Sequence, residues 1–488
     1  MIAPKRKRFK GANRKTQLGY DATVDKGRRQ PPKARTSSGD FELPPRTRSK
    51  LVATARDQTQ NLSLVSWMVR KHVSYVSQFN LLAKTGDDNL DNALEKRFAR
   101  AATRDEFDIA GRHSLRSAMY INETGKAVDG QAFIAAIRGG FCQLLESDLI
   151  ARPDDLPQKL ADKVDQHGLV KNTYGKVEQY CRCRWDNDGR KLMFSGMVKR
   201  ADMLGDSGTF LRPSQTRGIS PISSALNTFR DLYESWEWTL LKIKVHALCG
   251  VAIKRDALVD GVPTTAYADS DIDTEGEETA SNRTAMEVQD GLMQFDLDPG
   301  EDVDLIESKT PNSAVIPYSE LMVRAALLAF DIPFTAYDSR GTSFSAVMAD
   351  RAEYEKSVNA KREDNIDFLK RWSGWKLDQF AREAGSDLAR LLATSTLTNQ
   401  EIVDALEWVP DGTPWMDRGK EIKADADAIA LGTDSRQRQC KRRGLDFYKL
   451  ASERAEEEEF MRSKNITYIV GDPGTETPAD PDAEEVEQ

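Results

Sequence analysis

Residues 221–250, PISSALNTFRDLYESWEWTLLKIKVHALCG, limit the fold more than any other stretch of the chain. Ile222, Leu226, Phe229, Tyr233, Trp236, Leu240 and Ile243 recur at three- and four-residue steps, the spacing of one helix face. Pro221 suits the first helical position, Ser220 suits the N-cap, and Gly250 is placed to stop the helix. A helix over 221–248 spans roughly 40 Å at 1.5 Å per residue. It carries Trp236, Trp238 and Leu241 around much of its girth, more apolar surface than one neighbour covers, which favours burial against other subunits. A rod of this length fits a chain of several packed regions, as 488 residues already require.

Upstream, the pattern is mixed. Residues 1–50, including QPPKARTSSGDFELPP, have the composition of a disordered arm. LVSWMVRKHVSYVSQF reads as a buried amphipathic helix with Leu64, Trp67, Met68, Lys71 and Tyr75 near one face. DNALEKRFARAA and DIAGRHSLRSAMYINETGKAV read as two further helices. In 129–150, Asp129-Gly130 marks a turn, and AFIAAI and FCQLLE, parted by Gly139-Gly140, predict a hairpin. VEQYCRCRW and MFSGMVKRADMLG, parted by DNDGR, predict more strands, so this first part is α+β and ends near Gly218.

Downstream of the long helix, residues 251–316 change character. A polar, acidic excursion, TTAYADSDIDTEGEETASNRTA, is flanked by short predicted strands in VAIKRDA, LMQFDLDPGEDVDLIES and SAVIPY. YSELMVRAALLAFDIP, 318–333, is a returning helix that Pro333 ends. A loop of Pro, Gly, Ser and Thr follows, carrying Phe334, Tyr337, Asp338, Arg340, Gly341 and Phe344 but no His, Cys, Lys or Glu. A second long helix is expected from Ala346 to Gly385, with Tyr354, Val358, Ile366, Leu369, Trp372, Leu377 and Phe380 on its apolar side. The rest, to about 465, reads as helical, and the tail from Gly471 as unfolded.

The chemistry-bearing residues are sparse. No G-x-x-x-x-G-K-[ST] occurs, so a nucleotide-driven motor is not expected. GDSGTF at 205–210 has the look of a serine-protease nucleophile turn, but the four His residues and the long helices do not suit that fold, and Ser207 is read as a turn residue. Cys181 and Cys183 with His167 offer three donors; the two thiols are read as buried, on opposite faces of their strand, and not as metal ligands. Asp186, Asp188, Asp202 and Asp206 form no recognisable nuclease pair and are read as turn and surface residues. No catalytic residue, metal or cofactor is expected. Five scattered Cys suit reduced thiols in a cytosolic setting. The basic N-terminus lacks an apolar h-region, and no run of about eighteen apolar residues exists, so neither a secretory signal nor a membrane span is expected.

Charge is unevenly distributed. Residues 1–50 hold fifteen Lys/Arg against four Asp/Glu, while 451–488 hold three against twelve. Both ends can be solvated tails; the basic one can also meet nucleic acid or an acidic partner surface. A DNA-processing enzyme, such as a nuclease or recombinase using the basic arm, is therefore an alternative, as is a helical scaffold that binds a protein through that arm.

The order of these parts resembles the lambda-type portal proteins of tailed bacteriophages. The likeness covers about residues 60–460 and rests on four stretches in order. DGQAFIAAIRGGFCQLLESDLI is similar to a family segment that opens on Asp-Gly-Glu, with Gln131 in place of Glu. RPSQTRGISPI is similar to the Q-x-R-G-x-P opening of a stem helix, carried by Gln215, Arg217, Gly218 and Pro221. ALLAFDIPFTAYDSRGTSFSAVMADR matches at Ser343, Ser345 and Arg351, with Phe344 where Tyr is usual. WMDRGKEIKADADAIALGTDSRQRQCKRRGLDFYKL is similar to a fourth stretch, with Arg418 where Pro is usual.

The resemblance implies an α+β portal fold: basic arm 1–50, α/β wing 51–220, stem helix 221–250, small α/β clip 251–317 and returning stem helix 318–332. A tunnel loop 333–345, a long helix 346–400, a helical crown 401–465 and an acidic tail 466–488 complete it. It implies a dodecameric ring at one capsid vertex of the virion, assembled in the host cytoplasm. Double-stranded DNA would pass through the ring during packaging and ejection. The large terminase subunit, the major capsid or scaffold protein and a head-completion adaptor are the implied partners. The six named loop residues would face the channel. Lys242, Lys244, His246 and Arg324 can face the channel or neighbouring subunits, or be solvated or salt-bridged, and none is named as a DNA contact.

Overall fold

A computed structural model describes residues 37–248, 251–255, 286–289, 292–295, 301–305, 315–383, 385–412 and 418–464. Most of the expected basic arm, the polar excursion, Gly250 and the acidic tail lie outside these residues. The chain divides into two compact units, one holding residues 28–221 and 352 onwards, the other 222–351.

In the first unit, three sets of antiparallel strands pack with helices. Gln131–Ile137 and Phe141–Leu145 form the expected hairpin, with Phe133 opposite Leu145 and Ile137 opposite Phe141. Its turn uses Gly139 and Gly140, both at positive φ, where a Cβ would strain the backbone. Met203–Gly208 joins on the other side of Gln131–Ile137. Leu169–Lys171, Val177–Trp185 and Leu192–Lys199 make a second sheet.

Phe79–Ala83 pairs with Leu406–Pro410 in a two-stranded ribbon, which corrects two helical expectations. The helix Ser63–Val76 ends before Phe79, and EWV belongs to a strand following the helix Asn399–Ala405. Trp408 explains the strand: its ring packs 6.0 Å from Trp372 and its Nε1–H donates to Ser373 Oγ at 3.1 Å. Tertiary burial overrides the local helical pattern here.

Other boundaries also move. Residues 37–50 are structured rather than arm-like. Ser38 caps Gly39–Glu42, Leu43 is 1% exposed, and Pro45 opens the helix Pro45–Asn61 at the position where its missing N–H costs nothing. The helix expected from Asp108 starts at Leu115, because Ser114 caps it, and ends at Asp129. His113 precedes it. The buried face of Ser63–Val76 is Leu64, Val65, Met68, Val69, His72, Val73 and Val76; Trp67, Lys71 and Tyr75 lie at its half-exposed margin. Ser207 is a strand residue, its hydroxyl accepting from Asn122 Nδ2 at 3.2 Å, and not a turn.

Phe344–Phe380 is one helix of 37 residues. In the first unit it buries Tyr354, Val358, Leu369, Trp372, Leu377 and Phe380 as expected, and Asn365 and Phe368 in place of Ile366. Phe98 packs 5.6 Å from Trp372 and 5.1 Å from Phe380, tying Asp88–Ala101 to this helix. Full burial of such side chains contributes roughly 3 kcal/mol each.

In the second unit, a 3-10 turn, Pro221–Ser224, leads into the α-helix Leu226–Leu248, so the regular helix starts later than its sequence pattern. Ser220 turns its hydroxyl back to the Ala127 carbonyl at 2.9 Å within the first unit. Val315–Leu327 returns beside it. Trp236 Nε1–H donates to Ser319 Oγ at 3.0 Å between the two helices. Val315 to Tyr318 are helical, not the strand expected from SAVIPY. The helix ends six residues before Pro333, through the 3-10 turn Leu328–Phe330 and Asp331 at φ 59°. Val251–Arg255 pairs with Glu301–Leu305, and Met286–Gln289 with Leu292–Phe295.

Candidate functional site

The loop after Val315–Leu327 is shaped by its own side chains. Ile332 is buried and its N–H donates to the Leu327 carbonyl at 3.2 Å. Pro333 then fixes the chain for the 3-10 turn Phe334–Ala336. The Arg324 guanidinium stacks 4.2 Å from the Phe334 ring, and Phe334 lies 5.7 Å from Tyr337. Thr335 Oγ1–H donates to Asp350 Oδ2 at 2.8 Å, anchoring the loop to the helix that follows. Gly341 takes φ 71°, and Ser343 Oγ accepts from the Ala346 N–H at 3.3 Å as that helix begins.

Residues 333–345 contain two charged side chains, Asp338 and Arg340, and they pair. Arg340 Nε–H donates to both carboxylate oxygens, at 2.9 and 3.0 Å, and Nη2–H to Oδ2 at 2.6 Å. The Arg340 N–H adds a fourth bond at 2.9 Å. These hydrogen bonds hold the Asp338 carboxyl near pKa 2. The Arg340 side chain is nevertheless 90% exposed. Tyr337 and Phe344 are about half exposed. The six expected loop residues thus lie in one segment whose two charges pair with each other.

The four motif residues lie inside the first unit, with Gln215, Arg217 and Gly218 buried and Pro221 half-buried. Arg217 is 2% exposed. Its Nε–H donates to Gln131 Oε1 at 2.7 Å, Nη1 to the Ile150 and His167 carbonyls at 2.6 and 3.2 Å, and Nη2 to the Ser147 carbonyl at 2.8 Å. Burial, with Arg48 adding to it, weakens its hold on the proton; the fan of oxygens keeps the guanidinium charged. Gln131 also donates to Asp206 at 2.8 Å, so the neutral Gln at the family's Glu position links the cation to a nearby carboxylate.

Gln215 Nε2–H donates to the Arg217 carbonyl at 2.7 Å. Gly218 has no room for a side chain: a Cβ there would sit 2.0 Å from the Gly130 carbonyl oxygen. The Asp-Gly turn and the Arg-Gly motif therefore meet backbone to backbone. Pro221 opens the 3-10 turn. This motif is a lock within the fold.

Cys181 and Cys183 share one face, as residues two apart in a strand must, and both pack with Val164; the expectation of opposite faces is corrected. Among the described residues no group of three His, Cys, Asp or Glu could hold a metal ion, and no helix is long and apolar enough to cross a membrane. Sequence reasoning missed Arg324 as the partner of Phe334, although the Arg-to-aromatic spacing across a predicted helix end was there to be seen. It also missed the half-buried pair of Arg56 with Asp129, whose closest bond is 2.6 Å.

Residues 27–362 match the model of the family described as phage portal protein, lambda family. The chain belongs to this family of portal proteins. Portal proteins are structural components of the phage particle, not enzymes. A similar protein, the probable portal protein of Halomonas phage phiHAP-1, is 23% identical over 371 residues, 74% of this chain and 68% of that one. Among solved structures, a chain in the virion of a native gene transfer agent particle aligns over 81% of this portal protein and 93% of its own length, with 14% identity and TM-score 0.47. A chain in the neck of the native particle, computed with C12 symmetry, gives the same identity and TM-score over 82% and 94%.

Proposed function

We propose that copies of this portal protein close into a dodecameric ring at one capsid vertex, with residues 333–345 lining a DNA channel. In this reading, 51–220 is the wing, 221–250 and 318–332 the stem, 251–317 the clip, 346–400 the long helix and 401–465 the crown. The clip takes the large terminase subunit during packaging and a head-completion adaptor afterwards, and the wing meets capsid or scaffold protein. Assembly takes place in the host cytoplasm.

One observation supports the channel role most directly: the loop neutralises its own charge. A channel loop must constrict a moving duplex without gripping it. Each free cation adds a phosphate contact, with its affinity and its salt dependence. Asp338 occupies Arg340, while Tyr337 and Phe344 supply bulk, so contact is mostly steric. The experiment is deletion of residues 335–343. Rings should still form by light scattering and class averaging down the particle axis, while packaging or retention of DNA falls. Loss of the ring itself would make the loop a strut, and single particles of one 54.6 kDa chain would end the ring reading.

A further inference from the structure

The helix Arg436–Arg442 and the residue after it gather more positive charge than their ion-pair partners offset. Arg436, Arg438, Lys441, Arg442 and the following Arg443 lie within eight residues. Beneath them Asp434 is 6% exposed, its carboxylate accepting from Gln439 Nε2 at 2.6 Å and from the Ser435 N–H at 2.8 Å. The same carboxylate lies 3.0 Å from Arg442 and 3.8 Å from Arg438, whose side chains stay 62% and 65% exposed. One sunken anion thus aligns two guanidiniums that present their remaining N–H groups to solvent. Lys441 shares Glu407 with Lys84, at 3.0 and 2.8 Å, and Arg443 pairs with Asp425. Arg436 has no ion-pair partner among the described residues. Six cations therefore meet three carboxylates.

We propose that this surface binds the phosphate backbone of duplex DNA, at a site separate from the channel loop. Four of the five cations in 436–443 are arginines, whose planar fork matches phosphate oxygens. The alignment of Arg438 and Arg442 by Asp434 reduces the side-chain freedom lost on binding. Recognition through phosphates carries no sequence preference. The choice of DNA among polyanions rests on the portal reading; the anion-binding surface does not.

Arginine modification by phenylglyoxal, mapped by peptide mass spectrometry on the full chain, tests this without a variant. Duplexes of about 20 base pairs should protect Arg436, Arg438 and Arg442 at low salt, equally for two unrelated sequences, with protection fading as salt rises. R438Q/R442Q should weaken duplex binding about tenfold or more and flatten the log–log salt slope by roughly 1.8. R340Q should leave the protection unchanged. Absence of protection, loss of it in R340Q, or protection by a peptide of residues 465–488 but not by DNA would each overturn the proposal. If the particles prove to be single chains while DNA still protects these arginines, the ring reading fails and this one stands.

Discussion

At the residue scale, the buried charges decide the most. Arg217→Ala would leave the Ile150, His167 and Ser147 oxygens without their donor, and should cost about 3 kcal/mol or more. The check is the urea midpoint of the transition that reports the first unit. Arg217→Lys should rescue little, because one ammonium cannot reach a fan of acceptors. A second buried set gives a pH dependence. His72 Nε2 lies 3.5 Å from Glu123, and Lys126 lies 3.4 Å from the same carboxylate and 3.0 Å from Asp364. Burial pushes the His72 pKa down, against the pull of Glu123. Burial alone would raise Glu123, but Lys126, His72 and Asn365 together hold it below the usual range. Both shifts have one sign: the unfolded chain binds more protons as pH falls through about 6.5 and then about 4.5, so stability is lost in that direction. Thermal melts from pH 8 to 4 should show the loss, and His72→Gln should remove its upper part. The pairing of His72 with Glu123 could not be read beforehand, since the two are 51 residues apart in sequence, whereas Glu123 and Lys126 are three apart on a predicted helix.

At the scale of elements, periodicity and turn chemistry carried far. Gly139-Gly140 gave the hairpin, and three- and four-residue steps gave both long helices, because those patterns act over short separations. What failed was everything settled by distant contact. Leu406–Pro410 is a strand because Phe79–Ala83 lies 323 residues or more away to pair with it, and residues 37–50 are ordered because Leu43 and Arg48 find buried sites. The Asp338–Arg340 pair lies between these extremes: its two-residue spacing was legible, its fourfold bonding was not. Asp338→Asn removes the carboxylate that offsets Arg340. Arg340 is 90% exposed and water can replace the pair, so thermal stability should hold steady. The freed guanidinium should instead add about one phosphate contact per subunit, steepening the salt slope for DNA in the channel by roughly 0.9 for each contact made. Packaging assays at two salt concentrations would detect it: a variant indistinguishable from wild type at low salt would show that Arg340 does not reach the duplex.

At the scale of the whole molecule, the two long helices of the second unit keep large apolar side chains exposed among the described residues. On Leu226–Leu248, Trp238, Leu240, Leu241 and Ile243 are exposed at 63%, 51%, 48% and 37%; on Val315–Leu327, Ile316, Tyr318 and Leu321 are exposed at 65%, 52% and 62%. The excess of apolar girth read from the sequence thus persists after Trp236 has found Ser319 and the two helices have packed. Water contact with so many large side chains is costly, and neighbouring copies are the partners that the proposed ring would supply. A charge placed there should therefore act on assembly and spare the fold, because these positions are already wet in the single chain. Trp238→Glu with Leu321→Glu should leave the melting of the isolated 54.6 kDa chain within about 1 kcal/mol of wild type, yet shift light-scattering mass from the ring towards that chain. Rings of unchanged mass in this double variant would mean that these exposed apolar residues face something other than the next subunit.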